Sequence, residues 1–221
     1  CVPTPGVQAK AIIDAGGRAA PVARLIGARR VVTDKLICGW VIGEQSDAAT
    51  QLGYSYIEAE EHGWWYTAPL PNQRRILSFH TDVDLPSAGI AKHPEQLLQR
   101  AQSLPELSKR IADIRLPPNA PRGYTAAHSG SLTPCCGDGW LAVGDAAMCF
   151  DPLSSQGIFN AMYTGLCGAE VIDRHLRQGD GFEDYIMALR QIGEAYWQHY
   201  QYWYAQQTRW GESHFWARRQ G

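Results

Sequence analysis

The sequence predicts an α/β fold, and three observations carry that prediction. Short β-branched and aromatic runs between Val31 and Thr81 are separated by turn signals at roughly ten-residue spacing, the signature of an antiparallel sheet. A strand–Gly-Asp–loop–helix unit occupies Trp140 to Gly168. Two long apolar-periodic segments close the chain.

Taken in order, Ala11-Ile12-Ile13-Asp14 is a short apolar run ended by Gly16-Gly17, which reads as a buried strand running into a tight turn. Val31 to Ile42, Tyr54 to Ala59, Gly63 to Pro69 and Arg75 to Thr81 read as further strands. Pro94 to Leu104 and Pro105 to Ile111 read as short helices, each opened by a proline where a missing N–H costs nothing. Gly139 to Val143 is a buried strand followed by Gly144-Asp145. Residues 158, 162, 166, 169, 172 and 176 are apolar at helical spacing, and Phe182 to about Gln206 carries a second stripe.

With 221 residues the chain is one large domain or two small ones. Its 20 Lys and Arg against 22 Asp and Glu exclude a strongly basic nucleic-acid binder and an acidic tail. No segment approaches the eighteen or so apolar residues of a membrane span. A basic-then-apolar leader is absent from the opening CVPTPGVQAK, and a cytoplasmic globular protein is expected. The Cys1 start suggests that an N-terminal part of the polypeptide lies upstream. The six cysteines (Cys1, Cys38, Cys135, Cys136, Cys149, Cys167) show no C-x-x-C and no zinc spacing, so reduced, mostly buried thiols are expected and no metal site is read.

Gly144 allows an immediate turn after a strand, and Asp145 then projects at the strand's carboxyl end, where open α/β sheets bind ligands. A carboxylate there accepts hydrogen bonds from sugar or ribityl hydroxyls. Gly157 leaves the backbone bare where a helix begins, so N–H groups and the positive end of the dipole face an electron-rich oxygen. Gly165 and Gly168 suit close helix packing. A Gly-Asp pair alone is compatible with plain connectivity, Asp145 acting as a cap.

The longer string GDAAMCFDPLSSQG resembles the second flavin-binding motif of the FAD-dependent monooxygenase and halogenase superfamily, the p-hydroxybenzoate-hydroxylase-like flavoproteins. Asp14-Ala15-Gly16-Gly17-Arg18 is similar to that family's D-A-x-G-R strand end, and Gly63-Trp64-Trp65-Tyr66 with Pro69-Leu70-Pro71 to its W-x-x-x-P-L strand. The resemblance implies a Rossmann-like, incomplete FAD-binding domain (1–30 and 112–178) with an inserted antiparallel substrate domain (31–111) and a C-terminal aromatic helix (179–221). By position, Asp145 and Gly144 would hold the ribityl chain and Pro152 would pack near the isoalloxazine. Gly157 and Ile158 would offer N–H groups to the pyrimidine carbonyl, while Asp14 and Gly17 would lie beside the adenine half. Trp64, Trp65 and Tyr66 are substrate-pocket candidates; plain sheet packing explains them equally well. The family's G-x-G-x-x-G segment is absent, so either it lies upstream of Cys1 or the chain holds FAD poorly alone; any halogenase-type lysine would lie upstream too.

Other residues carry less. His80 and His128 read as structural, and no catalytic residue is assigned. Adjacent Cys135 and Cys136 read as loop thiols rather than a bridge. Cys149 lies inside the motif without an assigned role. Nine aromatic residues lie between Tyr196 and Trp216, and RWGESHFWARR resembles the tails of flavoproteins that make tryptophan-derived quinone cofactors. The resemblance therefore implies an oxidoreductase using reduced flavin and O₂ on a small aromatic or activated substrate, with a nicotinamide or flavin electron donor. The alternatives are a flavoprotein that modifies a partner protein's side chain and a truncated homologue without FAD.

Overall fold

The computed structural model describes residues 8–45 and 53–221; Cys1, one of the thiols named above, lies outside them. The chain divides into two compact units. One comprises the residues up to Thr33 with Ser129–Tyr200, the other Asp34–His128 with Gln201–Gly221.

In the first unit the apolar run forms strand Ile12–Asp14, parallel to Trp140–Ala142 with Asp14 opposite Ala142. Cys136–Gly137 adds an antiparallel edge beside Trp140–Ala142. A second small sheet places Gly130–Thr133 between Arg29–Val32 and Met148–Cys149, all antiparallel. Helices Gly157–Gln178 and Glu183–Ala205 contribute Val171, Ile172, Tyr185 and Leu189 to a core shared with Leu141, Ala142 and Val143. Burial of such side chains contributes about 1.5–3 kcal/mol each.

The second unit is a five-stranded antiparallel sheet in the order Tyr56–Glu60, Gly63–Leu70, Arg74–Asp82, Leu36–Glu44, Arg122–Ala126. Helices Ala88–Ala91, Pro94–Gln102 and Pro105–Arg110 supply the apolar residues that pack with Val41, Trp65, Leu77 and Phe79, and the prolines open the latter two helices as expected. The C-terminal helix His214–Gln220 is held by Arg219, whose guanidinium meets Asp82 at 2.6 Å with both side chains buried.

Several boundaries differ from the sequence reading. Val31 to Ile42 is two strands rather than one, broken where the Asp34 carboxylate accepts the Leu36 N–H at 2.9 Å and turns the chain. The two halves belong to different units, so the first boundary falls at 33/34 instead of 30/31. Residues 112–128 stay with the inserted unit, because Arg122–Ala126 pairs along Leu36–Glu44 and moves the expected 111/112 boundary to 128/129. The last boundary falls within a helix at 200/201, where 178/179 was expected.

Candidate cofactor site

The site candidates on the first unit are gathered by the parallel pair of strands. Val143 N–H donates to the Asp14 carbonyl at 2.9 Å, so both chains leave the sheet side by side and turn at the same end. Gly144 takes φ +55, a left-handed conformation that side chains disfavour, and starts the short helical turn Gly144–Ala146. Its N–H donates to Thr164 Oγ1 at 2.8 Å, tying the turn to the Gly157 helix. That helix lies close on the sheet: a Cβ added at Gly168 would come within 2.8 Å of Val143 Cγ1. Gly165, also expected to allow close packing, faces open space.

The Asp145 carboxylate keeps about a third of its side-chain surface exposed, with Arg18 Nε at 3.5 Å. Arg18 Nη2 in turn donates to the Phe150 carbonyl at 2.9 Å. Arg30 Nη2 reaches the carbonyls of Arg18, Asp145 and Ala146 at 3.3, 2.9 and 2.8 Å. Its Nε and Nη1 are buried with no hydrogen-bond partner among the described residues. Burial holds the Arg30 guanidinium below its usual pKa, with Arg18 nearby acting in the same direction and Cys149 and Asp145 opposing.

Asp151 builds the loop into the Gly157 helix. Its carboxylate accepts the Leu153 N–H at 2.8 Å, its N–H donates to Tyr196 Oη, and Pro152–Ser154 forms a helical turn from there. Helix Gly157–Gln178 then begins without a side-chain cap. Gly157 and Ile158 are exposed, and a Cβ added at Gly157 would meet nothing within 4 Å. The first turn of this 22-residue helix therefore presents bare N–H groups and a positive dipole end to open space. The apolar stripe at 158, 162 and 166, which periodicity marks as a core face, is exposed (Ile158 81%, Met162 73%, Leu166 60%). The buried positions are Asn160, Thr164, Gly168, Val171 and Ile172: Thr164 meets the turn at Gly144, and Val171 and Ile172 join the core around Leu141.

The Asp14 side chain is turned inward. Its carboxylate is 2% exposed and accepts the N–H groups of Gly16 and Ala23, at 2.8 Å each. It thus shapes the turn carrying Gly17, at φ +63, and Arg18 rather than reaching outward. Arg18, Arg30 and Asp151 were not singled out by sequence reading. Arg18 lay in the D-A-x-G-R string, and Asp151 in the D-P step, but no pattern marked Arg30.

Trp64, Trp65 and Tyr66 belong to the other unit. Trp64 is buried, stacks on His80 with ring centroids 3.6 Å apart, and donates from Nε1 to Tyr204 Oη. Trp65 is buried on the opposite face against Phe79, its Nε1 donating to Glu60. Tyr66 is half-buried. His80, in keeping with a structural role, is held at a pKa of about 3 by burial, and its Nδ1 has no partner among the described residues.

The chain is 31% identical over 216 residues to LodB of Marinomonas mediterranea, which carries the name of an FAD-dependent oxidoreductase; the match covers 94% of the chain and 55% of LodB. It also superposes with a TM-score of 0.81 and 26% identity on QhpG, described as a peptidyl tryptophan dihydroxylase essential for tryptophylquinone cofactor biogenesis. That superposition covers 97% of the chain and 49% of QhpG. The proteins that the chain resembles are FAD-dependent oxidoreductases, monooxygenases and halogenases. The myxobacterial chondrochloren halogenase CndH shares its fold at a TM-score of 0.78 and 22% identity, over 97% of the chain and 51% of CndH. No family model matches. The chain spans about half the length of LodB, QhpG and CndH.

FAD is the cofactor of the proteins the chain resembles, and the residues present fit it on two counts. The uncapped helix start at Gly157 and the unpartnered nitrogens of Arg30 make the surroundings electropositive, while Asp145 supplies an exposed acceptor. Among the described residues no helix is long and apolar enough to cross a membrane.

Proposed function

We propose that this chain forms the flavin-facing part of an FAD-dependent oxidoreductase that oxygenates or halogenates an aromatic or otherwise activated substrate. The observation that carries the reading is the pairing of an open helix start at Gly157 with the partly exposed carboxylate of Asp145, beside the same parallel strand end. Asp145 accepts from the ribityl hydroxyls. The Gly157 and Ile158 N–H groups hold the pyrimidine carbonyl, and Pro152 lies against the ring system. The turn Gly17-Arg18, shaped by Asp14, serves the adenine half. When bound, reduced FAD supplies the electrons for activating O₂. The chain's own part is to favour negative charge at the pyrimidine end through the dipole of the Gly157 helix.

A second reading is favoured by the likeness to QhpG together with the buried C-terminal aromatic segment. Tyr204, Phe215 and Trp216 are fully or almost fully buried, and Trp216 Nε1 donates to the Glu60 carbonyl at 2.9 Å. In that reading the substrate is an aromatic side chain of a partner protein. Flavin titration of the wild-type protein and of Asp145→Ala, followed by fluorescence quenching, tests the common part of both readings. Unchanged affinity in the variant overturns it. Turnover assays with a tryptophan-containing peptide and with free aromatic compounds then separate the two.

A further inference from the structure

The sulfur atoms of Cys135 and Cys136 lie 4.0 Å apart where the chain enters the edge strand Cys136–Gly137. Cys136 is buried in the core beside Leu141, whereas Cys135 is partly exposed. We propose that Cys135 and Cys136 form a dithiol site for hydroperoxides, at which Cys135 is oxidised first and Cys136 closes a vicinal disulfide. Three features single out this pair. An accessible thiol with a second thiol in reach is the arrangement that peroxide-oxidised cysteines adopt. The hydrogen bond with Cys136 lowers the Cys135 thiol below the usual cysteine range, against the opposing effect of burial, and so favours its thiolate. Two other thiols are less favoured: Cys38 is buried and pushed up to about 12, and Cys149 is buried with its sulfur on the Gly130 carbonyl.

The chemistry balances in two steps. The Cys135 thiolate attacks one peroxide oxygen, the O–O bond breaks, and the other oxygen leaves as hydroxide or alkoxide, taking up a proton. The resulting Cys135 sulfenic acid is attacked by the Cys136 sulfur. The S–S bond forms, the S–O bond breaks, and the hydroxyl leaves as water with the Cys136 proton. Two thiols and one hydroperoxide thus give a disulfide, an alcohol or water, and water. Adjacent Cα atoms are only about 3.8 Å apart, less than ordinary disulfides span, so the bridge is readily reopened by a dithiol reductant.

The test uses the wild-type chain and hydrogen peroxide at equimolar dose, with intact mass and peptide mapping as readouts. The expected result is a loss of about 2 Da assigned to residues 135–136, reversed by dithiothreitol, with Cys135 consumed about tenfold or more faster than Cys38. In Cys136→Ala, with its fold checked by circular dichroism, dimedone should trap a sulfenic acid at Cys135. In Cys135→Ser neither product should form. Oxidation of Cys38, Cys149 or Cys167 as fast as Cys135 overturns the proposal. So does a Cys135 sulfenic acid that accumulates in the wild-type chain while Cys136 stays free.

Discussion

The N–H of Gly144 donates to Thr164 Oγ1 at 2.8 Å, joining the turn that presents Asp145 to the helix that starts at Gly157. Thr164 Oγ1 also donates to the Asn160 carbonyl at 2.7 Å, so one buried hydroxyl is both acceptor and donor. Thr164→Val keeps the shape and removes both bonds. The expected loss is about 1–3 kcal/mol in urea denaturation, with Thr164→Ser close to wild type.

Gly168 and Gly165 sit one helical turn apart and should respond oppositely to alanine. At Gly168 the new methyl meets Val143 Cγ1 at 2.8 Å and Leu141 Cδ1 at 3.0 Å, an overpacking expected to cost about 1–3 kcal/mol. At Gly165 it meets nothing, and the helix gains about 0.5–1 kcal/mol from lost chain entropy. Thermal midpoints of the two variants moving in the same direction would contradict the packing described.

Asp145→Ala should weaken flavin binding about tenfold to a hundredfold, the value of a hydrogen bond to a charged group. Stability should change little, because the carboxylate is partly exposed and its Arg18 contact is long at 3.5 Å. Titration calorimetry and urea denaturation of the same preparation check both halves.

His80 carries a pH dependence of definite sign. Its folded pKa of about 3 lies below an unfolded value near 6.5, so the unfolded chain binds the proton first. The stabilisation is complete above pH 6.5 and is lost as pH falls from there toward 3, at up to about 1.4 kcal/mol per pH unit. His80→Phe retains a ring for Trp64 to stack on and should flatten this part of the stability profile, read as urea midpoints between pH 4 and pH 7.

The buried Arg219–Asp82 pair anchors the C-terminal helix, with Arg218 Nη1 a further 3.0 Å from the same carboxylate. Arg219→Ala leaves a buried carboxylate short of its partner and should cost about 3–5 kcal/mol, with protease cleavage appearing first near residues 205–213. The double variant Asp82→Leu, Arg219→Leu should recover much of that loss.

The sequence disclosed elements whose pattern is long enough to be periodic. The helices after Gln156 and after Phe182, and the strands around Trp64 and Phe79, appear near their expected limits. Cys136–Gly137 and Met148–Cys149 escaped notice, because two residues cannot display an alternation. Arg122–Ala126, with its glycine and exposed side chains, is recognisable only through its partner Leu36–Glu44. At the site, Gly144 and Asp145 were legible because a turn and a carboxylate have local signatures. Arg30 was not, since its three carbonyl partners lie 12, 115 and 116 residues away.

That reach of Arg30 bears on the thermodynamics of ligand capture. A single nitrogen staples the turn at Arg18 to the turn at Asp145 and Ala146 before any ligand arrives. Loops that must be immobilised on association subtract about 0.5–1.5 kcal/mol per ordered side chain from affinity. Here the immobilisation belongs to folding instead, so a ligand meets a preorganised rim and its binding enthalpy is not offset by freezing these two loops.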